Sequence, residues 1–158
     1  MSDLHYLPIS TEKVRALQNG SKDAYGQLPE KHISDGEGLP CRHCLGFIEE
    51  GDSFLILSYR PFDTAQAFAE QGPIFLHAAP CDAYSTQDKL PDMYVPEKEI
   101  LLRGYDKHDR IVYGTGQVVQ NKDVAVTAKS ILATTRAHYI HARSATNNCF
   151  QYRIETAS

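Results

Sequence analysis

The sequence predicts an α+β fold in a single domain spanning residues 1–158, built mainly of antiparallel β-sheet with one or two helices. Three observations carry that expectation. Short apolar runs bounded by turn residues dominate the chain. Two pairs of those runs are joined by short polar connections that suit hairpins. Two segments have a helical pattern, and they do not alternate regularly with strands, as a parallel α/β sheet would require.

Taken in order, residues 4–9 suit a short strand. Ser10 or Thr11 can cap a helix running through Val14 and Leu17 and ended by Asn19-Gly20. Residues 20–40, rich in glycine and poor in large apolar side chains, are expected as a long loop, longer than is usual inside a compact domain. Phe54-Leu55-Ile56-Leu57-Ser58-Tyr59 is continuously apolar up to Ser58, as for a strand covered on both faces, and Ile74-Phe75-Leu76-His77 is a second short run. Ile100–Tyr105 and Ile111–Tyr113 are expected to form a hairpin through Asp106-Lys107-His108-Asp109, with Gly114 and Gly116 marking a bulge or a close backbone approach. Residues 123–133 read as a helix whose apolar stripe is Val124, Ala128, Ile131 and Leu132, with Asn121 or Asp123 as its cap. Residues 137–143 and 149–155 complete a terminal hairpin, with Phe150, Tyr152 and Ile154 expected on one face and Gln151, Arg153 and Glu155 on the other.

Composition narrows the functional classes. The chain has 158 residues, 42% of them hydrophobic and 23% charged, so it can bury a core without covalent staples. Its formal charge of −4 lacks the basic excess of a general nucleic-acid binder. No apolar run approaches the ~18–20 residues needed to cross a bilayer, and the N-terminal residues do not resemble a secretory signal. The expectation is a cytoplasmic protein with no nucleic-acid or membrane partner and with a small molecule as the conceivable ligand. No glycine-rich phosphate loop of the Rossmann or P-loop type is present.

The four cysteines carry the most specific signal. In a reducing compartment they are thiols, metal ligands or nucleophiles rather than disulfides. Cys41 and Cys44 form a C-x2-C pair, and His77 and Cys81 form an H-x3-C pair. Structural zinc takes four nitrogen or sulfur donors in a tetrahedron, often as two close pairs brought together by folding. If the runs at 53–59 and 73–78 pair antiparallel, Cys44 is carried toward His77 and Cys81. His43 is an alternative donor to His77. The competing readings are two ordinary thiols in a turn with a strand-end histidine, or a redox pair. The latter lacks the helix and βαβ context it needs.

A second constellation lies in the terminal hairpin, where His141, Arg143 and Cys149 are candidates for a catalytic group. A milder expectation is anion capture by Arg60, Arg103, Arg143 and Asn147, because the guanidinium fork suits carboxylate or phosphate. The plain alternative is a polar sheet face with an asparagine-rich turn.

Five stretches, namely Leu39–Leu45, Leu57–Phe62, Gly72–His77, Leu102–Tyr105 and His141–Gln151, occur in the order that resembles the bacterial family catalogued as domain of unknown function 1203. The resemblance implies a bacterial, single-domain, cytoplasmic protein and supplies no reaction, cofactor or catalytic residue. The expected function is a small ligand-binding or accessory module stabilised by one structural zinc on Cys41, Cys44, His77 and Cys81. The alternative is an enzyme using the Cys/His/Arg group of the hairpin, or zinc catalysis with water in an open position.

Overall fold

The structure, a computed structural model, describes residues 3–157. Its elements in chain order are β1 (Leu4–Leu7), α1 (Thr11–Gln18), β2 (Glu30–Ile33), β3 (Leu39–Pro40), β4 (Phe47–Ile48), β5 (Ser53–Tyr59), β6 (Gly72–His77), β7 (Glu99–Tyr105), β8 (Gln117–Gln120), α2 (Val124–Thr134), β9 (Tyr139–Ser144) and β10 (Phe150–Thr156). The fold is α+β with antiparallel ladders between the named strands, as the sequence predicts. Contacts group these elements into two compact units.

The first unit combines β1 with Gln66–Phe68 and the chain from Thr86 onward. It holds a five-stranded sheet in the order β1-β10-β9-β7-β8. One sheet face is apolar: Leu102, Ile140, Ala142, Tyr152 and Ile154 are each fully buried. α2 packs there through its buried stripe of Val124, Ala128 and Ile131. The approach is close at Gly104, where an added Cβ would sit 2.9 Å from Ala137 Cβ and 3.3 Å from Ile131 Cγ2.

Three expectations for this unit are corrected. Ile111–Tyr113 is not a strand; Ile111 makes only an isolated bridge to Tyr105, and β7 pairs instead with β8. The intervening turn does form, with Asp106 Oδ1 accepting from the His108 and Arg110 N–H groups and Asp109 at φ 61°. Neither residue offered as the cap makes a side-chain cap bond to α2. Asp123 holds the cap position of α2 without a side-chain cap bond, and Asn121 donates from Nδ2 to Val95 O at 2.8 Å. In β10, a bulge between Phe150 and Tyr152 shifts the register, so Phe150 pairs with Arg143 while Tyr152 pairs with Ala142. Phe150 therefore shares its face with Arg153, opposite to Tyr152 and Ile154. One extra residue in a strand re-aims every side chain beyond it.

The second unit comprises Pro8–Ala65 and Ala69–Ser85. It has a three-stranded sheet, β2-β5-β6, a two-stranded ribbon, β3-β4, and α1. The expected loop at 20–40 is interrupted by β2, whose four residues are all exposed. A strand with no buried side has no apolar alternation to betray it. β5 is less evenly covered than its apolar run suggests: Phe54, Leu55 and Leu57 are buried, while Ile56 and Ser58 are half-buried. α1 begins as expected, with Ser10 Oγ accepting from the Lys13 N–H, and ends at Asn19 before Gly20 at φ 99°. Its one fully buried side chain, Val14, contributes about 1.5–3 kcal/mol by leaving water.

Candidate metal centre

β5 and β6 pair with Phe54 opposite His77, so the end of β6 lies beside the start of β5. Cys41 leaves β3 and makes a parallel bridge to Phe75, reinforced by Arg42 N–H donating to Phe75 O at 3.1 Å. This contact brings the C-x2-C turn against β6. The turn closes on itself, with Leu45 N–H donating to Cys41 O at 3.0 Å and Cys41 N–H to Gly46 O at 2.9 Å. Leu45 adopts φ 55°, a left-handed conformation that costs a non-glycine residue roughly 1–2 kcal/mol. Its side chain is buried, which holds the residue in place.

The four expected donors meet. The ligand atoms of Cys41, Cys44, His77 and Cys81 all lie within 4.8 Å of one another. Cys41 Sγ and Cys81 Sγ are 3.9 Å apart, and Cys44 Sγ and His77 Nδ1 are 3.7 Å apart. Zinc–sulfur and zinc–nitrogen bonds of about 2.3 and 2.0–2.1 Å give a regular tetrahedron sulfur–sulfur edges of about 3.8 Å and sulfur–nitrogen edges of about 3.6 Å. The cluster can hold a metal ion. Cys41 is fully buried and the other three are half-buried.

α1 and His43 brace this cluster. Arg15 Nη2 donates to Cys81 O at 2.7 Å, and Gln18 Nε2 donates to His77 O at 2.9 Å and to Ala79 O at 3.0 Å. His43 is not one of the four donors. It is fully buried, with Nδ1 3.2 Å from Cys81 Sγ and Nε2 2.8 Å from Thr11 Oγ1. Burial holds its pKa below the usual histidine value. Where a metal would hold Cys81 as a thiolate, its sulfur could only accept, so Nδ1 would carry the proton and the Thr11 hydroxyl would donate to Nε2. His43 thus orients a ligand instead of acting as one. Its place beside C-x2-C was visible in the sequence, but its reach to Cys81 depends on the fold. The bare side chains balance charge among themselves. Hydrogen bonds with Cys44 and Cys81 pull the Cys41 thiol down, and those with Cys41 and then Cys44 raise His77 to about 10.

The residues of the terminal hairpin are placed differently. Arg103 and Arg153 flank His141 in register across β7, β9 and β10, and Arg143 lies on the same face. The His141 ring packs against Tyr105, Tyr139 and Phe150 with centroids 4.8–5.1 Å apart. Burial, then Arg153, Arg143 and Arg103, hold its pKa well below the usual value. Arg143 Nε donates to Asn148 O and Oδ1 at 3.1 and 3.0 Å, which ties it to the turn where Asn148 sits at φ 61°. Cys149 is opposite Ser144, whose N–H donates to Cys149 O at 2.8 Å, and its Sγ lies 3.6 Å from Asn147 O. Strand alternation points Ser144 to the face opposite His141 and Arg143. The Asn147 N–H donates to Ser144 Oγ at 3.1 Å, within the turn. Of the anion-capture candidates, Arg103 and Arg143 share a sheet face. Arg60 follows β5 in the second unit, with Nε donating to Phe62 O at 3.1 Å and Nη2 to Asp63 O at 3.3 Å. It lines an open groove of about 510 Å³ with Lys13, Lys22, Asp23, Leu57 and Asp63, where Lys13 Nζ lies 3.8 Å from Asp63 Oδ1.

Among the described residues, no helix is long and apolar enough to cross a membrane. The family model described as "Protein of unknown function (DUF1203)" matches residues 38–156, most of the chain and all four cluster donors. No curated protein and no solved structure matches the chain.

Proposed function

The chain belongs to the family of proteins of unknown function DUF1203, and from that premise we propose that it is a small binding or accessory module whose second unit is pinned by one structural zinc ion on Cys41, Cys44, His77 and Cys81. The observation that carries the reading is the convergence of four donors within 4.8 Å of one another, two of whose separations, 3.9 and 3.7 Å, are close to the edges of a zinc tetrahedron. The donor chemistry agrees: three thiolates and an imidazole are soft to borderline ligands that select zinc over magnesium or calcium. Four protein donors fill the coordination shell, the structural pattern, whereas catalytic zinc keeps a position for water. The ion would tie the turn after β3 to the end of β6 and the loop that follows it, around a turn in which Cys41, His43 and Leu45 are themselves buried. The groove beside Arg60, whose lining mixes Lys13 and Lys22 with Asp23 and Asp63, supports the binding half of the proposal, with a small polar molecule as its ligand class.

Metal analysis of the purified full-length chain tests the zinc reading. About one zinc per chain is expected from the closed donor set. Cobalt substitution should give the intense visible bands of a tetrahedral, thiolate-rich site. Protein that is purified without metal and takes up neither zinc nor cobalt would reject the reading.

A further inference from the structure

We infer that Cys44 is the reactive thiolate of the centre, the sulfur at which a peroxide attacks first. This rests on the zinc reading above and adds a chemical sensitivity to it. The three sulfurs stand in unequal surroundings. Cys41 is fully buried, and its Sγ accepts the His77 backbone N–H at 3.5 Å. Cys81 is half-buried, and its Sγ lies 3.2 Å from Nδ1 of His43, which donates to it once zinc holds the sulfur as a thiolate, with Thr11 on the ring's other nitrogen. Cys44 is also half-buried, but apart from its co-ligand His77 its sulfur meets the Gly46 carbonyl at 4.0 Å. A carbonyl oxygen cannot donate to a thiolate. Among the described residues, no N–H outside the cluster reaches Cys44 Sγ.

Hydrogen bonds to a ligating sulfur draw charge away from it, and this tunes metal centres generally. Reaction also needs access. Cys41 lacks access and has a donor. Cys81 has access and a donor. Cys44 alone combines access with an unquenched sulfur.

In the first step, the Cys44 thiolate attacks one peroxide oxygen. An S–O bond forms, the O–O bond breaks, and hydroxide leaves and takes a proton from the buffer acid. Sulfur loses two electrons and becomes sulfenic acid, while peroxide gains them. Cys41, on the same C-x2-C turn and within 4.8 Å, then attacks the Cys44 sulfur. An S–S bond forms and a second hydroxide departs. Two of the four donors are consumed, and the ion is released.

The test uses full-length protein of measured zinc content, treated with substoichiometric hydrogen peroxide. A sulfenic-acid probe and differential alkylation map the oxidised cysteine by mass spectrometry, while a chromogenic chelator follows zinc release. Oxidation at Cys44 ahead of Cys41 and Cys81, in step with zinc release, is the expected result. A Cys44→His chain, which retains four donors, should release zinc more slowly under the same peroxide. A His43→Phe chain should bring Cys81 into the set of early-oxidised residues. Zinc-loaded protein oxidised first at Cys81 or Cys41, or at all three with equal rates, would overturn the inference. Protein unable to bind zinc would instead reject the underlying centre. Mapping on the wild-type chain decides the matter even where a variant does not fold.

Discussion

Zinc loading of metal-stripped protein should raise its melting temperature by a predictable amount. An ion that binds the folded chain alone stabilises it according to its free concentration relative to the dissociation constant, by about 4 kcal/mol at a thousandfold excess. In a cooperative domain of 150–250 residues, each kcal/mol moves the melting temperature by about 2–4 °C. For this 158-residue chain the two combine to a rise of about 8–16 °C. The structure explains why the effect spreads beyond four side chains. His77 ends β6, Cys41 bridges to Phe75, and α1 donates three hydrogen bonds to the backbone between His77 and Cys81. Calorimetry at fixed protein concentration with buffered free zinc is the assay, with Cys44→Ser as the control that should barely respond. Equal melting temperatures for stripped and loaded wild-type protein, or an undiminished response in Cys44→Ser, would refute the reasoning.

Other outcomes follow from the same geometry. Gly104→Ala places a Cβ 2.9 Å from Ala137 Cβ and 3.1 Å from Thr115 Oγ1. It should cost about 1–3 kcal/mol in a denaturant melt by overpacking the α2 interface. The pKa of buried His141 is lowered, so the unfolded chain takes up this proton below pH ~6.5 while the folded chain does not. Its stability contribution is complete above that pH and is lost as pH falls toward the folded pKa, by at most about 1.4 kcal/mol per pH unit. His141→Phe should flatten the dependence between pH 5 and 6.5, and parallel curves for the two proteins would contradict it. Arg15→Ala removes the 2.7 Å bond to Cys81 O and should speed zinc transfer to a chelator several-fold, with the first unit's near-ultraviolet circular dichroism unchanged.

Much of the fold was legible because its signals are local. The polar link at Asp106–Asp109 formed the expected turn, and Asn148 took the left-handed backbone that an asparagine-rich connection favours. The metal cluster was legible because two short spacings needed only one antiparallel pairing, Phe54 opposite His77, to converge. What escaped depends on tertiary context. β2 and much of β8 are exposed, so neither carries strict apolar alternation. The bulge at Gln151 leaves no mark in a sequence whose alternation looks regular, yet it moves Phe150 onto the face of His141. The role of His43 was hidden for a different reason. Its position advertised a ligand, and only the 3.2 Å approach to Cys81 assigns it to support.

The left-handed Leu45 has a kinetic consequence. Glycine at this position would let the turn sample many shapes, whereas a leucine anchored in the core restricts it to few. The turn that carries both sulfurs is therefore restricted before any ion arrives. Little ordering entropy is left to lose on capture, so loading should proceed at close to the rate of encounter without waiting for the loop to rearrange.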